Sequence, residues 1–299
     1  MKVIDNRALL MRLRAPGKVT DVIPKSKELS GNRVLVNWGI DEAHVLKNMN
    51  IHAPSPIEGQ YEWTGKFKPF EHQKTTAGFL TMNKRSFCFN EQGTGKTASA
   101  IWAADFLLNK KRINRVLVIC PLSIMDSAWR EDLFTFAMHR KVDVAYGSAT
   151  QRKKVIEGDS EFVIINYDGV KIVADAVAAG GFDLVIVDEA THYKNSQTDR
   201  WKTLNKILTS DTWLWMMTGT PAAQSPMDAY GLAKLVNPKS VPRFMGSFRD
   251  QVMYKVTNFK WVPKPSATET VFEALQPAIR FTKEECLDLP ELVYVTREV

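Results

Sequence analysis

The chain has 299 residues, 44% hydrophobic and 24% charged, with a formal net charge of +7. That is enough to bury a full core as one large domain plus something smaller. No apolar run approaches the length of a membrane span, and Met1 to Leu13 is broken by Asp5, Arg7 and Arg12, which argues against a membrane span, a signal-peptide core and a membrane partner.

Cys88, Cys120 and Cys286 lie far apart, two of them inside apolar runs, so free buried thiols are expected rather than a disulfide framework. A reducing, cytoplasmic setting is expected, nucleoid-associated for a bacterial or phage protein. The positive charge permits a polyanionic partner.

Residues 1–62 read as a small β-rich accessory module. Ala8 to Leu13, Val19 to Ile23 and Arg33 to Trp38 are expected as strands, with Ser30-Gly31-Asn32 the turn between the second and third. Asp41 to Met49 is expected as a helix capped by Asp41. His52 to Gly65, with two prolines and two glycines, reads as a connector open to proteolysis, so that the module should be separable. Lys2, Arg7, Arg12, Arg14, Lys18, Lys25 and Lys27 outnumber the acids here and suit either a solvated face or a docking surface.

The rest of the chain is organised around the stretch Ser86 to Thr97. An apolar run leads into Gly-Thr-Gly-Lys-Thr, and Ala98 to Leu108 carries apolar residues at helical spacing: strand, phosphate-binding loop, helix. The glycines let successive N–H groups converge on one anion. Lys96 is then expected to meet the β- and γ-phosphates of a nucleotide, and the Thr97 hydroxyl to ligate Mg²⁺.

Near-continuous apolar runs recur at Val116 to Cys120, Val142 to Tyr146, Phe162 to Ile165, Leu184 to Val187 and Trp213 to Met217, separated by lengths suited to crossover helices. Runs without alternation mean strands buried on both faces, hence a parallel sheet with its ligand at the carboxyl edge. The fold class expected is α/β, a doubly wound parallel sheet with helices on both faces. The run ending at Val187 leads into Asp188 and Glu189. Beside a phosphate loop, the first acid holds Mg²⁺ and the second takes a proton from the attacking water. After Pro238 the pattern stops, and residues 239–277, rich in basic and aromatic side chains such as Arg243, Phe259 and Trp261, read as an irregular, partly helical insertion.

Taken together, Asn90-Glu-Gln-Gly-Thr-Gly-Lys-Thr97, Ile119-Cys-Pro-Leu-Ser-Ile124 with Trp129, Asn166-Tyr167-Asp168, Asp188-Glu-Ala-Thr-His-Tyr-Lys-Asn195 and Thr218-Gly-Thr-Pro221 with Gln224 resemble, in order and spacing, the first-lobe motifs of Swi/Snf-type ATPases in helicase superfamily two. The resemblance implies a RecA-like motor lobe over 63–299 that uses ATP and Mg²⁺ and moves on double-stranded DNA without sequence preference. It implies Gln73, in Phe70-Glu-His-Gln73, as reader of adenine, and Gln92, Gly93, Thr94, Gly95, Lys96 and Thr97 as the nucleotide loop. It implies Lys96, Asp188 and Glu189 as catalytic, with Thr97 and Asp188 on the metal. Pro121, Ser123, Tyr167 and Lys194 would touch the nucleic-acid backbone, with Thr218, Gly219 and Thr220 coupling that track to the ATP site. Arg280-Phe-Thr-Lys-Glu-Glu285 and Leu289-Pro290 look like the close of the same lobe. Nothing resembling the family's second lobe, bearer of its arginine fingers, comes after them, so slow turnover by this chain alone is expected. The alternative is a regulatory nucleic-acid-binding protein that holds ATP without turning it over. An unrelated metabolite kinase leaves Thr218 to Pro221 unexplained.

Overall fold

The computed structural model describes residues 1–222, 224–257 and 260–286; Phe259 and Leu289-Pro290 lie outside them. Four short strands, β1 (Lys2–Ile4), β2 (Ala8–Arg12), β3 (Lys27–Leu29) and β4 (Arg33–Asn37), form an antiparallel sheet in the order β1-β2-β4-β3. Val19 to Ile23 is not one of them. Gly17–Thr20 is helical, and the Ile23 N–H donates to the Val19 carbonyl at 2.8 Å. Val19 and Ile23 have the composition of a strand, but Asp21 between them, which a strand would put on their face, is exposed, so the two are buried together as one side of a helical turn. The Ser30-Gly31-Asn32 turn instead joins β3 to β4, with Gly31 and Asn32 in the left-handed region. The next helix, Ile40–Asn48, begins after Gly39 rather than at Asp41, whose carboxylate pairs with Arg112.

The connector reading is also corrected. Ile57 and Tyr61 are buried in the same core as the helix after the phosphate loop. Ser55 Oγ lies 2.7 Å from Thr81 Oγ1, Trp38 Nε1 donates to the Pro54 carbonyl at 2.9 Å, and Trp102 Nε1 donates to the Thr64 carbonyl at 2.8 Å. Prolines and glycines mark a chain that turns often, and here every turn is held. The segment from His52 to Gly65 should therefore resist proteolysis. Ile57→Ala should cost about 2 to 5 kcal/mol by leaving a cavity between the N-terminal segment and the main core, read as a fall in the denaturant midpoint; a change within error would show that the segment is merely laid on the surface.

The main sheet comprises β5 (Arg85–Cys88), β6 (Val116–Cys120), β7 (Val142–Ala145), β8 (Phe162–Asn166), β9 (Leu184–Asp188) and β10 (Trp213–Met217). After them come a two-stranded hairpin, β11 (Met253–Lys255) with β12 (Trp261–Pro263), and a last strand, β13 (Ala278–Ile279), that rejoins the main sheet. Its order is β13-β5-β10-β9-β6-β8-β7, all neighbours parallel. Successive residues of one strand feed two different cores: Leu117, Ile119, Val185 and Val187 face one, Val118, Cys120, Leu184 and Ile186 the other. The first is covered by the helix Asp228–Val236, the second by the helix Lys96–Asn109. That is the doubly wound architecture expected.

The described residues of 239–277 contain the helical parts expected and a hairpin that was not. Helices Met245–Val252 and Ala267–Ala274 flank the hairpin, and Phe248, Val252, Ala267 and Ala274 join the core beside the helix Asp228–Val236. Arg249 lies 4.2 Å from the Trp261 ring centroid, which accounts for part of the basic and aromatic content. All three cysteines are free; burial pushes the Cys88 thiol up to about 11. Among the described residues no helix is long and apolar enough to cross a membrane.

Candidate nucleotide site

Because all seven strands are parallel, their carboxyl ends share one edge, and the loops leaving β5, β9 and β10 meet there. A cleft of about 810 Å³ opens at this edge, lined by Gln73, Gln92, Gly93, Gly95, Lys96, Thr97, Pro121, Asp188, Glu189, Gly219 and Thr220 among others.

The phosphate loop is braced from within. Gly93 and Gly95 take φ of +86° and +80°, a region that costs an L-residue roughly 1–2 kcal/mol. At Gly95 a Cβ would also lie 2.0 Å from Gln73 Nε2. Thr94 does not line the cleft; its hydroxyl donates to the Glu91 carbonyl at 2.7 Å and closes the turn. His72 Nε2 and Gln73 Nε2 lie 2.9 and 3.3 Å from the Thr94 carbonyl, so the helix Glu71–Thr81 holds the loop in place. Lys96 Nζ donates to the Glu91 carbonyl at 3.0 Å. Burial lowers its pKa, with Asp188 and Glu189 among the groups acting in the opposite sense.

Across the cleft, Asp188 Oδ2 accepts from Trp129 Nε1 and Oδ1 from its neighbour's backbone N–H, both at 2.9 Å. Burial raises the Asp188 pKa, and the Trp129 hydrogen bond works against that rise. Trp129 reaches the acid from a π-helical turn, Met125–Arg130, a wide turn that recurs at functional sites. Glu189 stands at φ +52°, and its Oε1 accepts from the Thr191 and Thr218 hydroxyls at 2.7 and 2.9 Å. A left-handed non-glycine residue is strained, and strain of this kind gathers at functional sites. Thr218 is itself buried and ties the end of β10 to the acid pair.

The residues expected on the nucleic-acid track divide into three groups. Ser123 is exposed and Pro121 half-buried, at the end of β6. Lys194 and Thr220 line a smaller neighbouring cavity with His192, Gln224 and Asp228, and Lys194 Nζ lies 2.7 Å from Gln224 Oε1 and 3.2 Å from Asp228 Oδ2. Thr220 borders both cavities. Tyr167, by contrast, is turned inward: it is 6% exposed, its hydroxyl donates to the Asp188 carbonyl at 2.5 Å, and its ring packs 4.5 Å from that of His192. Its hydroxyl supports the acid motif instead of facing outward. Four charged cleft residues were given no role from the sequence: Glu91, Asp132, pushed up to about 6 by burial and the neighbouring Glu131, and Arg280 and Lys283, brought in by the segment of β13. Trp129 carried a motif position but no role.

A seven-stranded parallel sheet with a glycine-rich loop, a cation and two acids at one edge defines a RecA-like nucleotide-binding lobe. The chain belongs to the SNF2-related domain family, whose model matches residues 72–285. A putative protein p41 of Acyrthosiphon pisum secondary endosymbiont phage 1 is 29% identical over 57% of this chain and 39% of its own length. An uncharacterized ATP-dependent helicase of Mycoplasma genitalium is 28% identical over 54% of this chain and 16% of its own. The Sulfolobus solfataricus SWI2/SNF2 ATPase core in complex with dsDNA superposes with a TM-score of 0.63 at 23% identity, over 74% of this chain and 46% of that one, a likeness of fold. The chain thus spans less than half the length of each of these relatives.

Proposed function

We propose that this chain is the ATP-binding and ATP-hydrolysing lobe of a motor that moves on double-stranded DNA. The observation that carries the reading is the meeting in one cleft of Gln73, Lys96, Thr97, Asp188 and Glu189, drawn from elements spread over more than 100 residues of chain. Lys96 binds the β- and γ-phosphates, and the loop N–H groups of Gln92 to Thr97 cradle them. The residues fit Mg²⁺: Thr97 and Asp188 line the same cleft and offer hard oxygens, and two protein ligands suit an ion that keeps its waters and phosphate oxygens. Bound there, it would neutralise charge on the transferred phosphoryl group. Glu189 takes the proton of the attacking water, and its bonds to Thr191 and Thr218 aim the carboxylate. Gln73 keeps one N–H and one lone pair beyond its bonds to Thr94 and Phe70, which is the pair that adenine's N6 and N7 match.

Pro121, Ser123, Lys194, Gly219 and Thr220 form the DNA-facing edge, touching backbone rather than bases. Thr218 links that edge to Glu189, so track and hydrolysis share a hydrogen bond. A second RecA-like lobe completes the arginine complement of the site, and residues 1–62 act as the accessory unit. The test is Mg-ATP binding and phosphate release by the chain, with and without duplex DNA and an added second lobe, against Lys96→Ala. Binding lost in Lys96→Ala, and DNA-stimulated release on adding the lobe, are expected; binding indifferent to Lys96 would sink the reading. Duplex affinity should fall steeply with salt and ignore sequence.

Trp129→Phe removes the hydrogen bond that orients Asp188 while keeping an aromatic ring. Loss of such a support typically costs about 10- to 100-fold in metal affinity. The Mg²⁺ concentration needed for half-maximal nucleotide binding should rise accordingly; an unchanged Mg²⁺ titration would show that Trp129 only fills space.

A further inference from the structure

We infer that Arg280 and Lys283 belong to the nucleotide site and supply cationic contacts to the nucleotide's phosphates, an inference that rests on the nucleotide reading above. The segment bearing them is stitched to the phosphate loop. Hydrogen bonds from the N–H groups of Phe87, Phe89 and Glu91 to the carbonyls of Pro277, Ile279 and Phe281, at 3.0, 2.8 and 2.9 Å, carry the pairing past the end of β13 and up to the loop. Return bonds run from the Phe281 N–H to Asn90 Oδ1 and from the Lys283 N–H to Glu91 Oε2, both at 3.1 Å. Residue 280 therefore leaves β13 at the same sheet edge as the loops after β5, β9 and β10. Both side chains line the cleft, and Lys283 Cε would stand 3.6 Å from a Cβ placed on Gly93, over the tip of the loop.

The charges are poised rather than spent. Arg280 Nη2 is 3.8 Å from Glu91 Oε1, a loose contact, and its side chain is 64% exposed. Among the described residues the Lys283 ammonium has no acidic partner within ion-pair distance. Glu91 links the two ends of the arrangement: its carboxylate holds this segment and its carbonyl holds Lys96 and Thr94. A polyphosphate entering the cleft draws Lys96 off that carbonyl and meets Arg280 and Lys283 from the other side. Cations seated on the phosphate loop's own residues match phosphate oxygens, not a base.

The experiment measures binding of AMP, ADP and ATP with Mg²⁺ to the full chain, to Lys96→Ala and to Arg280→Ala/Lys283→Ala, with thermal melting as the check on folding. The double variant should lose about 10- to 100-fold in ATP affinity, less for ADP and little for AMP, and Arg280→Lys/Lys283→Arg should recover most of it. Unchanged ATP affinity, or an equal loss for AMP and ATP, overturns the inference. If the double variant melts early, the exposed Arg280→Ala alone carries the measurement. Binding by the unaltered chain that depends on Lys96 but not on Arg280 and Lys283 defeats this inference alone; no Lys96-dependent binding at all defeats the nucleotide reading and this inference with it.

Discussion

Glu189→Gln is expected to leave Mg-ATP bound with an affinity near that of the unaltered protein and to lower turnover by about 10²- to 10⁴-fold, the range a general base supplies. The assay is phosphate release with the second lobe and duplex DNA present. Glutamine keeps the shape of the side chain and one carbonyl oxygen, so the hydrogen bonds from Thr191 and Thr218 can persist and the loop can hold its left-handed turn at φ +52°. What it loses is the ability to take a proton. Thr218→Val is the informative companion: it removes the 2.9 Å bond from β10 to Glu189 without touching the carboxylate. Its turnover should fall less than that of Glu189→Gln, while the stimulation by DNA falls with it. Wild-type turnover in Glu189→Gln would overturn the base assignment and move attention to a water held by other groups.

Asp105→Ala should be the most destabilising single change on the opposite side of the phosphate-loop helix. Asp105 is fully buried and accepts from Tyr61 Oη at 2.6 Å and Arg140 Nε at 2.5 Å, with His139 Nε2 at 2.9 Å. Arg140 in turn reaches Glu161 at 2.6 Å, so one buried carboxylate ties together the phosphate-loop helix, the N-terminal connector and the segment before β7. Removing it leaves a guanidinium that is only 10% exposed with Glu161 as its one remaining carboxylate partner among the described residues. Breaking one side of such a pair costs about 3 to 5 kcal/mol, which in a protein of this size lowers Tm by roughly 10 °C. Asp105→Leu/Arg140→Met removes both charges and should recover much of the loss. A fall of less than about 1 kcal/mol in Asp105→Ala would mean that water replaces the carboxylate and that the network is not a structural tie.

Those two positions also mark what was legible in the sequence. Glu189 could be named from Leu184 to Glu189 because a buried strand ending in two acids is a local pattern, and the phosphate loop, the parallel sheet and the order of five motifs are local patterns as well. Asp105 gave no signal, since an acid inside the apolar run Ala98 to Leu108 looks like any polar residue of a helix until its partners at residues 61, 139 and 140 arrive. Trp129 was legible as a motif position, but its role was not, because its bond to Asp188 spans 59 residues of chain.

Spacing along the chain therefore determined the fold class, the cleft-forming loops and the place of residues 96, 97, 188 and 189 at their ends, because strand alternation, glycine-rich turns and helix periodicity are set by neighbours within a few residues. Tertiary structure alone decided the rest. A two-residue strand such as β13 carries no period to detect, yet its pairing with β5 delivers Arg280 and Lys283 to the cleft. Val19 to Ile23 has the composition of a strand, and burial of one side made it a helical turn. Tyr167 comes after a strand end, where an outward residue is the natural expectation, and only the position of Asp188 drew its hydroxyl inward. His52 to Gly65 has the residues of a linker but is held by contacts to Thr81, Trp102 and Asp105, which lie too far along the chain for any local pattern to announce them.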